Sequence, residues 1–155
     1  MSFDRRTLVL AGAAVLIPAS ACAQTPRVYE IAIRRNVGCG CCRAWNTILQ
    51  RTGRFTTTMT EDAELAAYKT SLGVPAELAS CHTGLVEGYA IEGHVPPEDI
   101  LRLIAERPAG VRGIAVPGMP IGSPGMESPS GLRDAYDVIA FHADGSQSVF
   151  AHHAA

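Results

Sequence analysis

Three cysteines fall within four positions, Cys39, Cys41 and Cys42, in the stretch Asn36-Val37-Gly38-Cys39-Gly40-Cys41-Cys42-Arg43-Ala44-Trp45. A fourth, Cys81, is followed by His82. The cluster comes directly after an apolar, strand-like run from Val28 to Ile33, and Trp45, Ile48 and Leu49 beyond it carry helical spacing. Cysteines at a helix start meet the positive end of its dipole and its unpaired N–H groups, both of which favour thiolate over thiol. Cys41 and Cys42 are therefore expected to be deprotonated. Thiolates bind soft metals and attack disulfides, so this stretch is one of chemistry.

Several chemistries compete for it. Cys39 and Cys42 have the i, i+3 spacing of a redox dithiol, which needs one attacking and one resolving thiol. Cys41 between them offers exchange an unwanted partner, whereas a metal site gains from every additional thiolate. Soft sulfur selects Cu(I), Zn(II) or iron–sulfur clusters. Structural zinc usually takes two separate cysteine pairs, not three ligands in one loop and one far along the chain. Thiolates this close can bridge several Cu(I) ions. A purely structural disulfide reading is awkward, because bridging adjacent or next-but-one residues strains the loop, and at most one unstrained bridge from the cluster to Cys81 would leave two thiols over. Copper binding, dithiol exchange and a zinc or structural role all stay open on the residues alone.

Other donors follow. Cys81 is either the fourth thiolate or a buried cysteine beside a surface histidine, His82. His94, between Gly93 and Val95 at a strand end, is either structural or a copper ligand. Met119 and Met126 lie in Pro-Gly-Met-Pro and Pro-Gly-Met-Glu. Such loops run over the surface, so core packing explains these methionines poorly, and a thioether there suits Cu(I) or a sheltering lid. His152 and His153 at the tail could bind metal only loosely. Met59 reads as a strand residue and Trp45 as helix core.

Residues 28–35 read as a strand, and the cysteine loop feeds a helix from about Cys41 to Arg51 that stops at Thr52-Gly53. Phe55–Met59 reads as a second strand, and Thr60 with the acids after it as the start of a helix carrying Leu65, Ala66, Tyr68 and Leu72. Cys81 sits in a short turn, Leu85–Ile91 reads as one strand, and Pro96-Pro97-Glu98-Asp99 opens a helix with Ile100, Leu101, Leu103 and Ile104 on its apolar face. Residues 121–130, crowded with Gly, Ser and Pro, form a long ordered loop or a lid. Ala135–Phe141 and Ser148–Ala151 flank Asp144-Gly145 as a hairpin. A cysteine motif between a first strand and its helix predicts a thioredoxin-like α/β fold, a central mixed sheet with flanking helices and an inserted Cys-bearing segment. In such a fold Val116-Pro117 stands where a cis-proline faces the cysteines, which would bring Met119 close to them.

The first residues have the three parts of an export signal: Asp4-Arg5-Arg6-Thr7, an apolar run from Leu8 to Ile17, and Ala21-Cys22-Ala23. Residues 1–23 are expected to be the signal and 24–155 the domain. The paired arginines point to the twin-arginine route. Cys22 offers a lipoprotein reading, against which Ala19-Ser20-Ala21 lacks the expected leucine. The expected destination is a bacterial periplasm. A formal net charge of −2 with no basic run leaves no footprint for nucleic acid. No apolar stretch in residues 24–155 has the length of a membrane helix.

Cys39-Gly40-Cys41-Cys42 with Trp45, Val74-Pro75-Ala76-Glu77-Leu78-Ala79-Ser80-Cys81-His82-Thr83 and Val86-Glu87-Gly88-Tyr89 carry a resemblance to a known family. So do Glu92-Gly93-His94-Val95-Pro96, Gly113-Ile114-Ala115-Val116-Pro117-Gly118-Met119-Pro120 and Gly122-Ser123-Pro124-Gly125-Met126-Glu127. From residue 28 to 142 the chain resembles the CopG-type periplasmic copper-handling proteins, long catalogued as a domain of unknown function. The resemblance implies a thioredoxin-like fold and a role in copper resistance. It implies copper, chiefly Cu(I), held by Cys39, Cys41, Cys42 and Cys81, and interconversion of Cu(I) and Cu(II). His94, Met119 and Met126 match family motifs as further ligands. The implied partners are copper ions and other periplasmic copper-handling proteins. The rival reading is a periplasmic thiol–disulfide oxidoreductase using Cys39 and Cys42.

Overall fold

The computed structural model describes residues 26–155, so the expected export segment, its arginine pair and Cys22 lie outside the described residues. Alternating burial in β1 (Tyr29–Arg35) turns Ile31, Ile33 and Arg35 inward. α1 (Gly40–Arg51) buries Cys42, Trp45 and Leu49, spaced to share one face. β2 (Phe55–Glu61) then runs parallel to β1. α2 (Leu65–Ser71) and a single 3-10 turn at Ala76–Leu78 lead to β3 (His82–Val86) and β4 (Tyr89–Gly93). α3 (Pro97–Glu106) packs through Ile100, Leu103 and Ile104. β5 (Val111–Val116), β6 (Tyr136–His142) and β7 (Gln147–His153) complete the order.

Among the described residues, seven strands form one mixed sheet in the order β2-β1-β3-β4-β5-β6-β7. The β1/β2 and β4/β5 pairs are parallel and the others antiparallel. The main core joins Ile31 and Ile33 of β1, Trp45 and Leu49 of α1, Ile91 of β4, Ile100 and Leu103 of α3, and Ile114 of β5. Each such side chain contributes roughly 1.5–3 kcal/mol on burial. That core fixes the end of β1 and the start of α1, between which the cysteine loop hangs.

Four expectations are corrected. The run Leu85–Ile91 is not one strand: Glu87 (φ 48°) and Gly88 (φ 86°) are both left-handed and turn β3 into β4 as a two-residue hairpin loop. The stretch from Gly113 to Val116, read with the proline-rich run that follows it and not as a strand, belongs to the interior strand β5, whose last four residues are all buried, so it shows no alternation. The helix expected from Thr60 begins at Leu65, because β2 continues to Glu61 and the Asp62 carboxylate accepts from the Glu64 amide (2.8 Å) in a turn. No cis peptide bond occurs among the described residues, so Val116–Pro117 is trans.

Candidate metal and redox centre

Strand register builds the site. β1 pairs antiparallel with β3, and Arg35 stands opposite His82. The end of β1 that feeds the cysteine loop therefore meets the end of β3 that follows Cys81. The Asn36 amide donates to the Cys81 carbonyl (2.9 Å), extending the ladder one step beyond the strands. The four sulfurs of Cys39, Cys41, Cys42 and Cys81 lie within 4.8 Å of one another. Cys41 Sγ is 3.5 Å from Cys39 Sγ and 3.8 Å from Cys81 Sγ, and Cys42 Sγ is 3.3 Å from Cys81 Sγ.

Cys39 and Cys42 are joined by a disulfide, and Cys41 and Cys81 are free thiols. This corrects two expectations. The bridge does not reach from the cluster to Cys81, because Cys39 at the N-cap and Cys42 one turn on already have their Cα atoms 5.6 Å apart. Cys42 is not a thiolate here, since its sulfur carries no proton to lose. Burial, then neighbouring Cys41, pushes the Cys81 thiol up from its ordinary range.

Polar side chains hold the two segments. Arg35, buried at the last inward position of β1, donates through Nη1 to the carbonyls of Cys39 (3.1 Å) and Asn36 (3.4 Å) and pairs through Nη2 with Glu61 (2.6 Å). The cysteine loop is thus clamped on a buried cation. On the other side, Glu92 is fully buried and accepts from Lys69 Nζ (2.5 Å), Thr83 Oγ1 (2.6 Å) and the Ser80 amide (2.5 Å). Burial raises the Glu92 carboxyl pKa, and the Lys69 charge with these hydrogen bonds pulls it back. The bond to Ser80 fixes the residue before Cys81. Arg35, Lys69 and Glu92 were not singled out from the sequence. Arg35 had a signal, being in phase with Ile31 and Ile33, and Lys69 stands one helical turn after Leu65.

His82, expected at the surface if not a ligand, is fully buried: it packs on Trp45 (ring centroids 4.4 Å), and its Nδ1 lies 3.8 Å from Cys81 Sγ. Burial is the main cause that lowers its pKa, to about 3. His94 is also buried, meets His82 edge to face (5.1 Å), and places Nδ1 2.8 Å from the Pro124 carbonyl. The loop after β5 thereby covers the site. Gly125 sits against the α1 backbone so closely that a Cβ there would lie 2.7 Å from the Trp45 amide nitrogen. Met126, next to it, is half-buried, with its carbonyl accepting from Gly122 (2.9 Å). Met119 is 42% exposed with φ +51°. At the tail, His152 pairs with Asp137 (2.7 Å) and His153 with Asp99 (2.7 Å) on β7, outside the cysteine cluster. No described helix is long and apolar enough to cross a membrane.

A ring of four sulfurs with imidazoles behind it is a soft donor set, suited to Cu(I) or Zn(II) far better than to hard cations. The same sulfurs can exchange electrons by making and breaking the Cys39–Cys42 bond.

Residues 78–126 match the family described as a protein of unknown function, DUF411. Two solved structures are similar to the chain. The copper resistance protein copG in Form 1 is 42% identical with a TM-score of 0.75, the match covering 84% of this chain and 100% of that one. Form 2 is also 42% identical with a TM-score of 0.75, covering 82% and 99%. Among curated proteins none matches.

Proposed function

The chain belongs to the CopG family of copper resistance proteins, and from that membership we propose that it is an exported copper-binding protein of copper resistance that holds Cu(I) in a thiolate site. Its ligands are Cys39, Cys41, Cys42 and Cys81, with His94, Met119 and Met126 as further donors. Residues 1–23 direct export to the periplasm and 24–155 form the working domain. The observation that carries the reading is the convergence of four sulfurs from two distant segments within 4.8 Å. The run β1-α1-β2-α2-β3-β4-α3, with β2-β1-β3-β4 adjacent in the sheet and the cysteine loop between β1 and α1, supports a thioredoxin-like reading of the fold. Copper interconversion follows from the same sulfurs. Two thiolates each give one electron to a Cu(II) and join as the Cys39–Cys42 disulfide, leaving two Cu(I).

Titration of anaerobically reduced protein with Cu(I) against a coloured chelator tests this. The reduced chain should strip copper from the chelator. The Cys39–Cys42 disulfide form should do so at least about tenfold less well, since two donors are lost. A reduced chain that leaves Cu(I) with the chelator overturns the proposal.

The disulfide itself favours a second reading, a thiol–disulfide oxidoreductase with Cys39 and Cys42 as its pair. Insulin reduction separates the two. Under the exchange reading Cys41→Ser keeps its rate, and under the copper reading the same variant loses metal.

A further inference from the structure

Cys39 stands between two glycines, Gly38 and Gly40, the residue type with most backbone freedom, and an added Cβ at either would meet nothing within 4 Å. Cys41 and Cys42 lie inside α1, and the Cys81 carbonyl is tied into the sheet ladder by the Asn36 amide. Beyond one turn bond from its amide to the Asn36 carbonyl (3.3 Å), what pins Cys39 is an ion pair. Arg35 and Glu61 are register partners at the ends of β1 and β2. Arg35 donates to the Asn36 and Cys39 carbonyls, while Glu61 Oε1 accepts from Arg35 Nη2 (2.6 Å) and from the Gly38 amide (3.3 Å). The pair thus grips the turn Asn36–Cys39 at both ends and in between. Stability explains it poorly. Arg35 is buried, its Nε has no partner among the described residues, and an apolar side chain there would extend the Ile31–Ile33 stripe at no electrostatic cost.

We propose that Arg35 and Glu61 are positioning residues that hold Cys39 as the disulfide partner of Cys42 and deny that place to Cys81. The competition is close. Cys42 Sγ is bonded to Cys39 Sγ, yet Cys81 Sγ stands 3.3 Å from it as a free thiol. Closure by a thiol follows its effective concentration at the target sulfur, which falls as the segment carrying it gains freedom. A clamped turn has lost that freedom before the bond forms. The chemistry is ordinary exchange. With glutathione disulfide as oxidant, the Cys42 thiolate displaces one glutathione thiolate and forms a mixed disulfide. The Cys39 thiolate then attacks the Cys42 sulfur and releases the second glutathione thiolate. Two electrons pass from the two cysteines to glutathione, and the two cysteine protons end on the released thiols. Opening the clamp frees the reduced loop more than the bridged one, so the bridge becomes easier to reduce. The inference rests on the reading in which the Cys39–Cys42 bond makes and breaks, and adds to it the residues that decide which bond is made.

Metal-free protein is equilibrated in glutathione buffers of graded ratio, quenched with acid, alkylated and read by mass spectrometry. Glu61→Gln and Arg35→Met, each checked for folding by circular dichroism, should both lower the equilibrium constant for bridge formation about threefold to tenfold, a rise in potential of roughly 15–30 mV. Glu61 is part-exposed, so Glu61→Gln decides the matter even where Arg35→Met does not fold. Arg35→Lys should fall between wild type and Arg35→Met, since one ammonium lacks the fork that spans both carbonyls and the carboxylate. In oxidised Arg35→Met, tryptic peptides joining the cysteine loop to Cys81 should increase at least about threefold over wild type. Constants equal to wild type in both variants overturn the inference. Shifts of opposite sign in Glu61→Gln and Arg35→Met overturn it too, because they mark a bare charge effect in place of positioning. So does an unchanged yield of Cys81-linked peptide in folded Arg35→Met. A wild-type bridge that glutathione neither forms nor breaks defeats the redox reading itself, and the inference with it.

Discussion

His82 packs on Trp45 in the core, and burial, with the fields of His94 and Lys69, holds its pKa near 3 against an ordinary value of 6.5. Burial also lowers His94. Both rings are therefore neutral in the folded chain at pH 7, and they charge on unfolding once the pH drops below about 6.5. The unfolded state then binds protons that the folded state refuses, so stability present above pH 6.5 is lost as pH falls. The slope is about 1.4 kcal/mol per pH unit for each group, and for His82 it continues toward pH 3. Urea unfolding of metal-free protein between pH 7.5 and 5 should show this fall, and His82→Phe should remove one proton's share of it. An identical slope in wild type and variant would contradict the assignment. Cys81 is shifted the opposite way from a helix-activated cysteine, because it lies at a strand start and is half shielded.

At the scale of the element, the loop after β5 meets the α1 backbone at Gly125, which leaves no room for a side chain. It has φ +87°, and an added Cβ would press on the Trp45 amide nitrogen, the Trp45 Cα and the Cys41 carbonyl oxygen, all backbone of α1. Gly125→Ala should cost about 2–4 kcal/mol, combining left-handed strain with overpacking. Hydrogen exchange across residues 120–128 should quicken in the same variant. Gly131→Ala is the control: its φ is +75°, but an added Cβ meets nothing within 4 Å, so strain alone applies. Equal melting temperatures for the two variants would show that the loop does not bear on the helix as described. Loosening of this loop also withdraws Pro124 from His94, which links the lid to the donors beneath it.

For the whole molecule, the cysteine cluster was legible because its chemistry is local: three thiols between a strand run and a helix run need no partner to be recognised. α1, α3 and the terminal hairpin were legible from periodicity, caps and the Asp144-Gly145 turn. The β3–β4 hairpin was hidden by a glutamate in a left-handed position, and β5 by its unbroken burial. His82, Lys69 and Glu92 were opaque because only the folded sheet says which residues face inward together. The two halves of the site are joined by backbone hydrogen bonds, and each is held in place by its own buried node, Arg35 for the cysteine loop and Glu92 for Ser80, none of which involves a metal. Chelator treatment should accordingly leave far-UV circular dichroism unchanged and the unfolding transition cooperative, unlike a zinc finger, which unfolds without its ion. Loss of secondary structure with chelator would contradict this.

The pairing of Arg35 with His82 has a kinetic meaning. A pocket assembled by a sheet ladder stands ready before its cargo arrives, so uptake and release are steps of ligand exchange with no refolding attached. On the proposed copper reading, metal then enters and leaves sulfur by sulfur, at the pace of ligand exchange alone.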